Sequence, residues 1–238
     1  LEALELLADA ISEAGYTGRM KIAIDMAAPD FYDAEEALYD LDFKASGGGA
    51  GDSAGGKSGS KEGGAASVLS TTRISGAQLS EVYRGLCSKF PVVSICDPFD
   101  NEDWGNWVGI NQLLTDTQVV GGSLLTSNPR RIDRASKSNA CNAMKLTANQ
   151  AGTVWEAITA AKLAQEAGMA VIVAQRPGET GDSFIADFCV GLATGQIQAG
   201  APCRSDRLEK YNQLIRIEEE LGADAVYVGE KFRTPGKV

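Results

Sequence analysis

The chain contains no histidine among its 238 residues. Serine and cysteine triads need a histidine base, and many zinc sites use imidazole nitrogens, so the sequence excludes both kinds of site within this chain. The five cysteines are irregularly spaced and form no CxxC pair. This pattern fits neither a disulfide framework nor a cysteine metal site, and it favours a reducing compartment. We therefore expect a cytoplasmic location.

Long apolar runs and clustered basic residues are also lacking. No segment is long enough to span a bilayer and no signal-peptide pattern is present, so we expect no membrane insertion. Lysine and arginine number 22 against 32 acidic residues, which gives a net charge of −10. Such an acidic chain is not expected to bind nucleic acid, which attracts clustered cationic side chains.

What the sequence does contain is six short apolar runs, each ending in polar residues and followed by a helical pattern. The central run, at 92–95, is almost unbroken and ends at Cys96. This alternation predicts an α/β fold in which parallel strands are joined by crossover helices. In such folds the functional side chains lie at the carboxyl ends of the strands. The predicted strands are 21–27, 92–95, 118–123, 143–148, 170–175 and 196–202.

Residues 46–67 differ from the rest because they are almost entirely Gly, Ser and Ala with scattered charge. This composition predicts a flexible insertion. Residues 51–58, GDSAGGKS, match the phosphate-loop pattern GxxxxGK[ST]. A phosphate loop needs a buried strand before it and a helix N-terminus after it, and neither flank supplies one. We therefore expect no nucleotide cofactor.

Several longer motifs resemble the enolase (phosphopyruvate hydratase) family. They are YDLDFK at 39–44, VVSICDPF at 92–99, GET at 178–180, TGQI at 194–197 and GAPCRSDRL at 200–208. The resemblance covers nearly the whole chain except the glycine-rich insertion. It implies that residues 1–238 are a partial C-terminal barrel domain, a (β/α) TIM-like barrel of about six strands, without the N-terminal domain of the family.

An incomplete barrel has consequences for partners. A barrel of this size closes with about eight strands, so six would leave two sheet edges open. We expect these edges to be covered by a protein partner, by a larger assembly, or by the missing part of the same polypeptide.

The resemblance also implies a reaction, the dehydration of 2-phosphoglycerate to phosphoenolpyruvate in glycolysis. Family members hold Mg²⁺ with an Asp, a Glu and an Asp at three strand ends, and these positions carry Asp25, Cys96 and Gly122 here. One carboxylate does not satisfy a cation that requires hard oxygen ligands, so we expect no metal. Two readings of Cys96 remain open: a small buried side chain, or a soft-metal ligand acting with Asp25.

The remaining family positions are changed too. The lysine base falls on Thr147, the histidine on Gln175 and the second lysine on Gln198, while Arg176 is retained. Lys145 precedes Thr147 by two residues, so strand periodicity points it to the same side, and we expect it to reach partly into the site.

These replacements predict an enolase-like pseudoenzyme that serves as a structural or interaction module without a cofactor. Two alternatives remain. One is an active, Mg²⁺-dependent phosphopyruvate hydratase of which this chain is a part, and the other is a small-anion binder that uses Arg176.

Overall fold

The computed structural model of the chain describes residues 1–43 and 72–234. The insertion predicted at 46–67, with its phosphate-loop match, lies outside these described residues. None of the helices in the described ranges combines the length and the apolar character needed to cross a bilayer.

The described elements follow the predicted alternation of strands and helices. In chain order they are α1 (Glu2–Glu13), β1 (Ile22–Asp25), β2 (Tyr32–Asp33), β3 (Leu38–Asp40), β4 (Arg73–Ile74), α2 (Gly76–Lys89), β5 (Val92–Cys96), α3 (Trp104–Leu113), β6 (Gln118–Gly121), α4 (Pro129–Ser138), β7 (Ala143–Leu146), α5 (Ala148–Ala151), α6 (Val154–Glu166), β8 (Ala170–Ala174), α7 (Phe184–Gly191), β9 (Ile197–Gln198) and α8 (Ser205–Leu221).

The main sheet has six strands in the order β1-β5-β6-β7-β8-β9, and every neighbouring pair is parallel. The sheet and its crossover helices confirm the predicted α/β fold and are consistent with a partial TIM-like barrel. The strand predicted at 196–202 is too long, because β9 holds only two residues. Gly200 has φ near +80°, outside the extended region, and Pro202 has no N–H to donate to a neighbouring strand.

One helix prediction is wrong. The sequence predicts a single helix that is capped by Asn149 and runs to residue 167, but the structure has two helices, α5 and α6. Gly152 breaks the helix with φ near +100°. Thr153 then caps α6, because its side chain accepts a hydrogen bond from the Glu156 N–H at 3.1 Å.

The six-stranded sheet is curled into an open barrel. Gln118 in β6 and Gln196, directly before β9, exchange two side-chain hydrogen bonds of 3.0 and 3.1 Å. Two strands separate β6 from β9 in the sheet, so on a flat sheet these residues would lie about 14 Å apart. Their direct contact shows that the side chains meet across a concave face.

A short 3₁₀ turn at Gly229–Arg233 lies against the amino ends of these strands. The Gln196 amide donates to the carbonyl oxygen of Phe232 at 2.8 Å. The Arg233 guanidinium donates to the carbonyl oxygen of Thr115, before β6, also at 2.8 Å. The turn therefore connects the segments that lead into β6 and β9.

Aromatic packing fixes the chain just after β5. The Phe99 ring packs edge-on against Tyr39, Tyr83 and Trp107, at centroid distances of 5.8 to 6.4 Å. The buried Tyr83 hydroxyl donates to the carbonyl oxygen of Pro98 at 2.9 Å. Because all four rings are buried, the backbone that follows Cys96 is held by core packing.

The buried thiol of Cys141 allows a prediction about alkaline stability. Burial raises its pKa to about 12, although backbone hydrogen bonds at Gly121 and Ala143 act to lower it. An unfolded cysteine ionises near pH 8.5, so above that pH the unfolded state loses a proton that the folded state keeps, and stability falls. Between pH 8 and pH 10 the free energy of unfolding should fall for both proteins. We expect the fall to be about 2 kcal/mol smaller for Cys141→Ala than for the wild type, because the variant lacks this thiol.

Urea titrations at pH 8 and pH 10 measure this difference. Cys203→Ala is the control, because Cys203 is exposed, and its decline should equal that of the wild type. Parallel declines for Cys141→Ala and the wild type would contradict the prediction.

Candidate functional site

Six of the seven positions that the resemblance identifies, all except Arg176, lie together at one edge of the sheet, one for each strand. Each sits at, or directly after, the carboxyl end of one strand, because all six strands run in the same direction. In sheet order they are Asp25, Cys96, Gly122, Thr147, Gln175 and Gln198. Asp97 and Lys145, which are not among these six, complete the contacts at this edge.

Asp97 is the most densely bonded side chain of the site. Its carboxylate is 6% exposed. Its Oδ1 atom accepts the backbone N–H groups of Gly122 and Ser123 at 2.9 and 2.7 Å and the Ser123 hydroxyl at 2.8 Å. Its φ of +47° lies in the left-handed region, which is unusual for a residue with a side chain. The end of β5 is thus bonded to the loop that follows β6.

The Lys145 ammonium lies between two carboxylates. Its Nζ atom is 2.9 Å from Oδ2 of Asp97 and 3.3 Å from Oδ2 of Asp25. Burial acts to lower the Lys145 pKa, but Cys96 once it is ionised, and the carboxylates of Asp97 and Asp25, outweigh burial, and the pKa is raised well above its ordinary value. Lys145 is therefore a permanently charged partner of both acids, and it reaches further into the site than the sequence predicts.

Gly122 makes room for this lysine. A Cβ atom at Gly122 would lie 2.4 Å from Cε of Lys145 and 2.5 Å from Oδ2 of Asp97. Atoms of neighbouring side chains do not approach so closely, so any residue with a side chain at position 122 would displace Lys145 or Asp97. The absence of a carboxylate at this position and the place of the lysine depend on each other.

Cys96 is a buried, neutral thiol. Burial and the charge of Asp97 raise its pKa well above the ordinary value, against the opposing effect of Lys145. Its Sγ atom lies 3.4 Å from Oδ2 of Asp97, where the thiol donates a weak hydrogen bond. A metal would be bound by the thiolate, so a metal could use Cys96 only by displacing this proton.

The positions at the ends of β7, β8 and β9 carry neutral side chains, whereas Arg176, beside Gln175, is charged. Gln198 donates from Nε2 to Oδ2 of Asp25 at 3.4 Å. The Oε1 atom of Gln175 is buried and has no hydrogen-bond partner among the described residues. Thr147 is buried, and its N–H donates to the hydroxyl of Ser127 at 3.4 Å. Arg176 is 57% exposed and its Nε lies 3.9 Å from Glu179, so it is open to solvent anions.

These residues do not fit Mg²⁺. Ligand atoms of Asp25, Cys96 and Asp97 lie within 4.8 Å of one another, which is close enough for a metal site. The set nevertheless contains two carboxylates rather than three and a protonated thiol, and a cationic ammonium already contacts both acids. A second cation between the same oxygens would be repelled by Lys145 and would lack the octahedral oxygen shell that Mg²⁺ requires.

Sequence reasoning missed the role of Asp97. The resemblance directs attention to Cys96, because the family's metal-binding Glu stands there. A general signal was present: Asp97 follows a buried strand directly and precedes Pro98, which ends the strand pairing. A charged residue at that point is buried only if other groups bond to it. Its partners are far along the sequence, with Ser123 in the loop after β6 and Lys145 in β7.

Comparisons with known proteins agree with the architecture. Residues 1–236 match the family model described as "Enolase, C-terminal TIM barrel domain". The chain is 48% identical over 235 residues to Enolase 2 of Hevea brasiliensis and 46% identical over 235 residues to an enolase of Solanum lycopersicum. In both cases the match covers 98% of this chain and 48% of the relative. The chain thus spans about half the length of the curated relatives it matches.

Proposed function

Because this chain belongs to the enolase family, as a part of its C-terminal barrel domain, we propose that it is a pseudoenzyme of that family. It keeps the scaffold and serves as a structural or interaction module, without hydratase activity and without Mg²⁺. The proposal rests on the residues that now stand at the strand ends.

The observation that carries the proposal is the state of Asp25. It is the one carboxylate retained at the family's three metal positions. Its Oδ2 atom is already bonded to the Lys145 ammonium at 3.3 Å and lies 3.4 Å from the Gln198 amide. The acid is therefore used to hold two side chains of this chain, rather than to coordinate a metal.

The residue at the family's base position cannot perform the family's proton abstraction. Abstraction of a proton beside a carboxylate needs a base whose free form is present near neutral pH. Thr147 stands at the base position and its hydroxyl is not such a base. Lys145 is the nearest amine in the sequence, but its raised pKa keeps it protonated. Loss of a base alone lowers rates by about 10²–10⁴-fold, and loss of the metal removes the main stabilisation of the intermediate.

The interaction role is supported by the sheet edges. Within the described strands, β1 pairs only with β5 and β9 pairs only with β8. The outer sides of β1 and β9 retain backbone groups that can pair with a further strand. We place the partner, or the remainder of the polypeptide, at these two edges.

A hydratase assay tests the proposal. The full-length protein, supplied with 2-phosphoglycerate and Mg²⁺, is compared with the Solanum lycopersicum enolase by the absorbance of phosphoenolpyruvate. We expect kcat/KM to be at least about 10⁴-fold lower than for the tomato enzyme. A value within about a hundredfold would establish the alternative, an active phosphopyruvate hydratase, and would overturn the proposal.

A further inference from the structure

We propose that the Lys145 ammonium is a built-in replacement for a divalent cation: it neutralises the acids at the strand ends and closes the site to metals. This rests on the proposed function and deepens it, since it names the group that takes the place of a metal in the site. Metal affinity and thermal stability can be measured whether or not the protein has hydratase activity.

The Lys145 ammonium lies where a metal bridging Asp25 and Asp97 would have to lie. Asp25 ends β1 and Asp97 follows β5, so their carboxylates converge from two neighbouring strands. One ammonium lies within 3.3 Å of an oxygen of each. A metal that bridged these acids would occupy the same region, because bridging requires a position within bonding reach of both oxygens. Lysine and metal therefore exclude each other.

The Asp97 carboxylate is buried and depends on Lys145 for a compensating charge. Asp97 is 6% exposed and Lys145 is 19% exposed. A carboxylate so far from water needs a compensating positive charge, and Lys145 is the cation bonded to it. The backbone N–H groups of Gly122 and Ser123 stabilise the other oxygen, but they carry no net charge.

Gly122 leaves the space that the Lys145 side chain fills. The Lys145 side chain passes where a Cβ atom of residue 122 would stand, 2.4 Å from Cε and 2.9 Å from Nζ. The lysine is thus accommodated by a matching change on the neighbouring strand. With any other residue at position 122, its side chain would overlap Lys145 in this position.

Removal of the lysine should open a different metal site. The oxygens of Asp25 and Asp97 and the sulfur of Cys96 lie within 4.8 Å of one another, and removal of the ammonium would leave them free to bind a metal. A mixed thiolate and carboxylate set suits Co²⁺, Zn²⁺ or Cd²⁺ better than Mg²⁺. On binding, the Cys96 S–H bond breaks, its proton goes to solvent and the sulfur electron pair binds the metal.

The experiment measures Co²⁺ binding to the wild type, to Lys145→Ala and to the control Lys137→Ala, whose lysine is exposed and pairs with Asp133. Calorimetry gives the affinity, and near-ultraviolet absorption reports a thiolate–cobalt bond. We expect Lys145→Ala to bind Co²⁺ at least about tenfold more tightly than the wild type and Lys137→Ala, with a charge-transfer band that disappears in Lys145→Ala/Cys96→Ser. Two results would overturn the proposal. One is a wild-type protein that binds Mg²⁺ or Mn²⁺ with a Kd below about 1 mM, and the other is a folded Lys145→Ala that binds Co²⁺ no more tightly than the wild type.

If Lys145→Ala does not fold, a second pair of variants tests whether Lys145 acts through its charge. Lys145→Met should lower Tm by about 5–15 °C, because it leaves Asp97 buried without a cation. Lys145→Met/Asp97→Asn removes both charges, while the asparagine oxygen can still accept the Gly122 and Ser123 N–H groups. We expect the double variant to recover most of the lost Tm. No recovery, or a double variant that fails to fold, overturns the proposal because shape rather than charge would then be the role of Lys145.

Discussion

Replacing Asp97 with alanine is expected to reduce the free energy of unfolding by about 3–5 kcal/mol, which corresponds to a fall in Tm of about 6–20 °C. The carboxylate is buried and accepts hydrogen bonds from Gly122, Ser123 and Lys145. Alanine would leave the two N–H groups without an acceptor and the ammonium with Asp25 alone. Each of these losses is costly because the groups lie away from water.

Urea denaturation of Asp97→Ala and of the control Asp133→Ala measures this effect. Asp133 also pairs with a lysine, at 2.7 Å from Lys137, but both side chains are more than half exposed. Solvent screens such a pair, so the control should stay within about 0.5 kcal/mol of the wild type. A loss below about 1 kcal/mol for Asp97→Ala would mean that its buried hydrogen bonds are not important for stability.

Restoring the family residues is expected to create hydratase activity only if Lys145 is removed at the same time. The five substitutions Cys96→Glu, Gly122→Asp, Thr147→Lys, Gln175→His and Gln198→Lys supply the metal ligands, the base and the two other charged groups. A side chain at position 122 would overlap Lys145, whose Cε lies 2.4 Å from the Cβ position. In the five-substitution variant the lysine would therefore compete with both the new carboxylate and the metal.

The comparison is between the five-substitution variant and the same variant with Lys145→Ala, each in the full-length protein. Phosphoenolpyruvate absorbance should be at background for the first and at least about a hundredfold higher for the second. Activity in the five-substitution variant equal to that of the six would show that Lys145 does not obstruct the site. A matching Mg²⁺ titration by calorimetry separates failure to bind metal from failure of the chemistry.

The main strands could be predicted because their signal is local. Each of the six is a run of apolar residues with polar residues at its end, and burial on both faces requires such a run. The ends of the strands were less accessible to sequence reasoning. The φ of Gly200 shortens β9, and Gly152 divides a helix that otherwise has a continuous pattern. A glycine permits such a conformation but does not require it.

The site was only partly predictable, for a different reason. The motifs identify the changed positions, among them Cys96, Gly122 and Thr147. The motifs do not show that Lys145 occupies the site. The place of Lys145 depends on Gly122 and on Asp97, which precede it by 23 and 48 positions, and on the curvature that brings three strand ends together. Such relations belong to tertiary structure and leave no periodic pattern.

The contact between Gln198 and Asp25 has a consequence for the order in which the fold forms. These residues are 173 positions apart, yet their side chains lie 3.4 Å from each other. A contact this distant in sequence forms against a large loop-closure entropy and raises the contact order of the fold. During synthesis, β1 leaves the ribosome long before β9 exists. The strand-end site therefore cannot be complete until β9 has been synthesised, and it is among the last parts of the described fold to assemble.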